Sequence, residues 1–186
     1  MNRLRDALLW AGLLLMLVVV NQGVFRRERI LADGRPLLLE LAPVDPRALL
    51  QGDYMALRYA AEDDISKALG HARDQDIAWA LRRFGTFSST CGADGCHDGY
   101  AVFAVDGDGV GRFLRVQSAP RPLAAGEIAT RFRERDWRTI RIAGGAWFFP
   151  EGQADRYAPA RYGELRVDGD GTALLVALRD AARKPL

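Results

Sequence analysis

The longest apolar run comes first. Residues 7–25, ALLWAGLLLMLVVVNQGVF, contain no charged side chain, and 7–20 are almost wholly apolar. At about 1.5 Å per residue such a helix reaches roughly 28 Å, against a hydrocarbon core of about 30 Å. The run ends without the small-residue site at which a signal peptide is cut, so the pattern predicts an uncleaved anchor. A polar connector over 30–35, with Asp33-Gly34 as a turn, then leads to a strand at 36–41, PLLLEL, carrying Leu37, Leu39 and Leu41 on one face. Asp45 stands as a helix N-cap, Pro46 at the first helical position, and Arg47 to Gln51 are good helix formers. Gly52 sits where a left-handed C-cap is wanted. That is one short helical turn, followed by an extended stretch with Met55, Leu57 and Tyr59 on one side and Tyr54, Ala56 and Arg58 on the other.

From 62 to 84 the spacing turns helical: Ile65, Leu69 and Ala72, then Ile77, Ala80, Leu81 and Phe84, with Gly70 as a break. One or two surface helices are expected. From Gly99 the period becomes two. Strands at 100–105 and 110–116 flank Asp106-Gly107-Asp108-Gly109, and strands at 164–167 and 172–178 flank a second DGDG at 168–171. Residues 127–133 and 138–142 alternate as well, while the prolines of 118–126 mark a loop. The stretch 152–167 reads as a short helix or a pair of turns, interrupted by Pro159. Seven or eight short strands with a helical insertion predict an α+β, mostly antiparallel β domain, a compact barrel-like or sandwich form, behind one transmembrane helix.

Length and composition agree with that division. A chain of 186 residues, 49% hydrophobic and 27% charged, holds one globular core and an anchor: 1–29 as anchor, with its helix at about 7–25, and 30–186 as the domain. Charge changes two things. Arg3 and Arg5 precede the apolar run and Arg26, Arg27 and Arg29 follow it, so basic residues alone do not choose an orientation. Residues 30–186 carry 21 basic and 22 acidic groups, which excludes a nucleic-acid footprint.

The extended stretch also carries a resemblance. GDYMALRY, 52–59, matches GDYxxLxY, the signature of a bacterial family of membrane-anchored proteins named after it. The DPR-x-LL approach at Asp45, Pro46 and Arg47 is similar to that family's pattern, as is FFPEG at 148–152, and the likeness covers most of 36–180. It implies a single envelope domain on the extracytoplasmic, periplasmic side of the inner membrane, compatible with a membrane-protein partner. The motif positions are therefore Asp45, Pro46, Arg47, Gly52, Asp53, Tyr54, Leu57, Tyr59, Phe149, Pro150, Glu151 and Gly152. They are read first as structural and second as a binding surface.

Candidate chemistry is thin. The strand, turn and GD step are similar to the nucleophile region of type I signal peptidases, but Val44 stands at the serine position. The two lysines, Lys67 and Lys184, lie in a polar helix and at the tail, so that reaction is unavailable. Cys91, Cys96 and His97, with His71, have metal-ligand chemistry at a spacing on the edge of zinc sites. A disulfide Cys91–Cys96 closing a Gly-rich loop suits the spacing better, with two free thiols between the extremes. No metal or cofactor is expected. Asp45, Asp53, Glu151 and Asp155 each have a local explanation as cap or turn residues. Arg131, Arg133 and Arg135 share one face of an extended segment: either a charged strand edge or a contact for anionic headgroups. The expected function is non-catalytic binding or scaffolding of an envelope partner. The alternative is a hydrolase-like site around Asp53, Tyr54 and Glu151.

Overall fold

The computed structural model describes residues 2–42, 54–74, 98–135 and 139–186. Asp45, Pro46, Arg47, Gly52, Asp53, Cys91 and Cys96 lie outside them, as do the expected helical positions beyond Asp74. Helix α1, Asn2–Asp33, contains the apolar run and continues past it. Residues 30–33, expected in a polar connector, are its last turn: Arg26 to Ala32 are compatible with helix, and Ile30 is buried against the domain, which gives that turn a packing partner. The Gly34 N–H bonds to the Ile30 carbonyl at 2.9 Å, and strand β1, Arg35–Glu40, begins at the next residue.

The domain is α+β, and every pairing between its named strands is antiparallel. Its curled sheet forms a half-barrel. The remaining strands are β2, Tyr54–Ala56; β3, Asp98–Val105; β4, Gly111–Gln117; β5, Glu127–Arg135; β6, Thr139–Arg141; β7, Ala146–Phe148; β8, Tyr162–Val167; and β9, Ala173–Arg179. They hydrogen-bond in the orders β1-β8-β9, β2-β7 and β4-β3-β5-β6. Helix α2 is Ala60–Asp74 and helix α3 is Ala154–Tyr157. Gly70 does not break α2, which runs through it: one glycine costs only about 1 kcal/mol in a helix held elsewhere by packing, and Ile65 is fully buried.

Both DGDG segments are hairpin turns, and the first aspartate of each is the clasp. Asp106 Oδ1 accepts from the N–H groups of Asp108 and Val110 at 3.0 and 2.9 Å. Asp168 Oδ1 does the same for Asp170 and Thr172 at 2.9 and 2.8 Å. The last glycines, Gly109 and Gly171, take φ of 82° and 80°, where a Cβ is penalised. These turns also join the sheets. Leu38 N–H donates to Gly109 O at 2.9 Å, and Arg131 N–H to Gly171 O at 2.6 Å.

Among the described residues two apolar clusters result. The larger gathers Leu37, Leu39, Tyr59, Ile65, Phe103, Phe132 and Leu165, among others, and the smaller Met55, Leu57, Phe149, Tyr157, Ala160 and Leu178. Leu41 and Leu175 pack against both. The motif strand thus crosses from one cluster to the other.

Candidate functional site

The alternation read from the motif holds in space. Met55, Leu57 and Tyr59 are buried, Tyr54 and Arg58 exposed. Burying a large side chain takes about 1.5–3 kcal/mol of apolar surface out of water, and three inward positions in five residues make this a core strand. The Tyr59 ring lies against Gly163, where any Cβ would stand 2.9 Å from ring atom Cε1. Its hydroxyl donates to the Gly144 carbonyl at 3.5 Å, and burial holds the phenol protonated far above its usual range. The strand is tied on its backbone too. Leu57 N–H donates to Gly145 O at 2.8 Å, and Arg141 Nη1 donates to Leu57 O at 3.1 Å.

Glu62, an acid in the first turn of α2 that the sequence did not single out, is buried beside this strand. Its N–H donates to Tyr59 O at 3.0 Å, and its Oε1 accepts from the Ile142 N–H at 3.4 Å. Burial pushes the carboxyl up to about 7, against the opposing pull of the Ile142 N–H, Arg141, the Tyr59 N–H and Arg58. The chain on either side of 43–53 is closed below: Leu41 bridges Tyr59, and Ala42 N–H donates to Arg58 O at 2.8 Å.

The outward face of the same strand is aromatic. Tyr54 pairs across the ladder with Phe148 of β7, their ring centroids 5.9 Å apart. They are 39% and 75% exposed, so this pair is offered to solvent. Behind it, Trp147 meets Tyr157 edge-on at 6.1 Å, and Phe149 stacks on Tyr157 at 5.2 Å. Pro150 to Gln153 turn the chain there: Gln153 N–H donates to Pro150 O at 3.2 Å, and Gly152 takes φ of 79°. That is the type II pattern, with glycine where φ must be positive. Glu151 is the exposed residue at its corner. FFPEG is therefore a structural companion of GDYxxLxY, since its first residue completes the aromatic pair and its last shapes the turn. The pairing of β2 with β7 had no sequence signal stronger than Phe148 pointing out between Trp147 and Phe149.

Two of the arginines of β5 have partners on β3. Arg131 donates to the Tyr100 hydroxyl at 3.0 Å and lies over its ring, and Arg133 reaches Asp98 at 3.3 Å. Arg133 and Arg135 face Arg141 and Thr139 of β6 in the ladder, so that half of β5 is an inner strand and no sheet edge. Among the described residues no group of three or more His, Cys, Asp or Glu is placed to hold a metal ion.

Among the described residues one helix, α1, is long and apolar enough over Leu9–Asp33 to cross a membrane. No curated protein and no solved structure matches the chain. The family model described as GDYXXLXY protein matches residues 16–178, from within α1 to the buried Leu178 of β9, and so takes in the motif strand, its β7 partner and both DGDG hairpins. The chain belongs to the GDYXXLXY protein family.

Proposed function

We propose that this chain is a single-pass inner-membrane protein whose extracytoplasmic domain binds an envelope or membrane-protein partner without catalysis. The observation that carries the reading is the Tyr54–Phe148 pair, an exposed aromatic patch directly over a buried, multiply tied motif strand. Aromatic pairs left in water and backed by a packed cluster are what a partner's apolar anchor uses. Position supports it. β1 runs six residues from the end of α1 toward the Leu41–Tyr59 bridge, so the motif stands about 20 Å from the helix exit. The carboxyl that titrates near neutrality, Glu62, is occupied in binding backbone N–H groups.

A photo-crosslinking residue at Phe148 in living cells tests this. We expect one dominant adduct, lost in Tyr54→Ala and missing when the probe stands at the exposed Arg112 instead. Equal labelling from both positions would refute a binding face at the hairpin. Orientation has its own test. Alkaline phosphatase fused after Leu186 should be active, and activity only from a reporter that works in the cytoplasm would reverse the placement.

A further inference from the structure

Where α1 enters the domain, a cleft of about 520 Å³ opens between the helix, the β8–β9 turn and the loop before β5. Four guanidinium groups line it, those of Arg26, Arg29, Arg35 and Arg121, against the carboxylates of Asp33, Asp168 and Asp170. Their engagements differ. Arg26 stands 3.8 and 3.5 Å from Asp168 and Asp170, and Arg35 donates to the Glu127 carbonyl at 2.9 Å. Neither Arg29 nor Arg121 has a carboxylate within 4.0 Å among the described residues. Pro120 and Leu123, both half-buried, supply an apolar wall beside them, over the buried Ile30, Ile128 and Val167.

Depth decides what such a cleft meets. The uncharged run ends at Phe25, and Arg29 follows four residues later, about 6 Å further along the helix axis. The headgroup layer on one side of a bilayer is about 5–7 Å thick, the difference between its full and hydrocarbon thickness shared over two leaflets. The cleft mouth therefore falls in that layer when α1 spans the membrane.

We propose that this cleft binds the phosphate of an anionic phospholipid headgroup, with Arg29 and Arg121 as its ligands and the apolar wall against the glycerol end of the acyl chains. The inference rests on α1 crossing the bilayer, as proposed above. Arginine suits the task because its planar fork donates to two phosphate oxygens at once. Asp33 and the aspartates of the turn leave room for little negative charge, which favours a monoanionic headgroup over a polyanion.

The full chain reconstituted in nanodiscs of phosphatidylcholine and phosphatidylglycerol, in equal parts, provides the test. Lipids retained after extraction into detergent are counted by native mass spectrometry. The wild type should retain phosphatidylglycerol in preference to phosphatidylcholine. Arg29→Gln and Arg121→Gln should each reduce that preference by roughly fivefold, while Arg27→Gln, outside the cleft, should leave it unchanged. Both guanidinium groups are exposed and unpaired with carboxylates, so melts of these variants should match wild type; Arg→Lys at each position should restore part of the preference if charge matters. Equal retention of the two lipids by the wild type, or a preference that survives both substitutions, would overturn the proposal. So would complete displacement of the lipid by soluble glycerol phosphate, which would mark a free-phosphate site. Carbonate washing of the native membranes separates the two readings: release of the chain would sink the membrane span itself, whereas retention with no lipid preference would sink only the cleft.

Discussion

Tyr59→Ala is expected to lower the unfolding free energy of the domain by about 3–5 kcal/mol, and Leu57→Ala by about 2–5 kcal/mol. Tyr59 is fully buried and Leu57 nearly so, and each belongs to a different apolar cluster. The tyrosine change leaves a ring-sized void against Gly163 and removes the donor to Gly144 O. A domain of this size has about 5–15 kcal/mol to lose, so thermal melts should shift by on the order of 10 °C. Tyr54→Ala, earlier in the same strand and facing out, should stay within about 0.5 kcal/mol of wild type. Its loss should show in cross-linking and not in the melt. A Tyr59→Ala protein that melts like wild type would mean that the motif tyrosine is kept for something other than packing.

Glu62→Gln should stabilise the domain at pH 8 by roughly 3 kcal/mol and do little at pH 4. The sign follows from where the proton is held. In the folded chain burial raises the carboxyl from 4.5 to about 7, so the native state keeps a proton that the unfolded chain has released. Stability from this group is complete below about 4.5, declines as pH rises through 7, and is level above that. Glutamine stays neutral throughout and keeps an oxygen for the Ile142 N–H, 3.4 Å away in the wild type. Denaturant unfolding of both proteins across this range gives the difference curve, in which the other carboxylates cancel. A difference that is flat, or that favours the wild type at pH 8, would show that Arg141 and Arg58 hold Glu62 ionised in the native state.

Much of this fold was legible because its signals are local. The apolar run, the two DGDG turns and the alternation from Met55 to Tyr59 need only neighbours a few residues apart, and each appears where the pattern put it. The resemblance at 52–59 likewise gave the family. What was not legible is long-range. Nothing in AEDD foretells that Glu62 is buried, since that depends on Ile142, just past β6 and 80 residues on. Nor does the sequence announce that β2 pairs with β7, or that Arg29 and Arg121 line one cleft. The extension of α1 through residues 30–33 was missed because Asp33-Gly34 marks the helix end itself, and what holds 30–33 helical up to it is the burial of Ile30 against residues far along the chain. Asp45, Pro46, Arg47, Gly52, Asp53, Cys91 and Cys96 keep only their sequence-based readings.

The junction at Gly34 has no slack. Its Cβ position is already occupied by the Ile30 carbonyl, with Arg166 and Val167 close on the other side, and Arg166 Nη1 grips the Gly34 carbonyl at 3.1 Å. A helix joined to a sheet in this way is a lever with a welded joint. Any roll or tilt of α1 becomes a swing of the whole domain, largest at the far end where Tyr54 and Phe148 stand. A tether of flexible residues would let the aromatic pair point at any angle; this joint ties its angle to that of the helix.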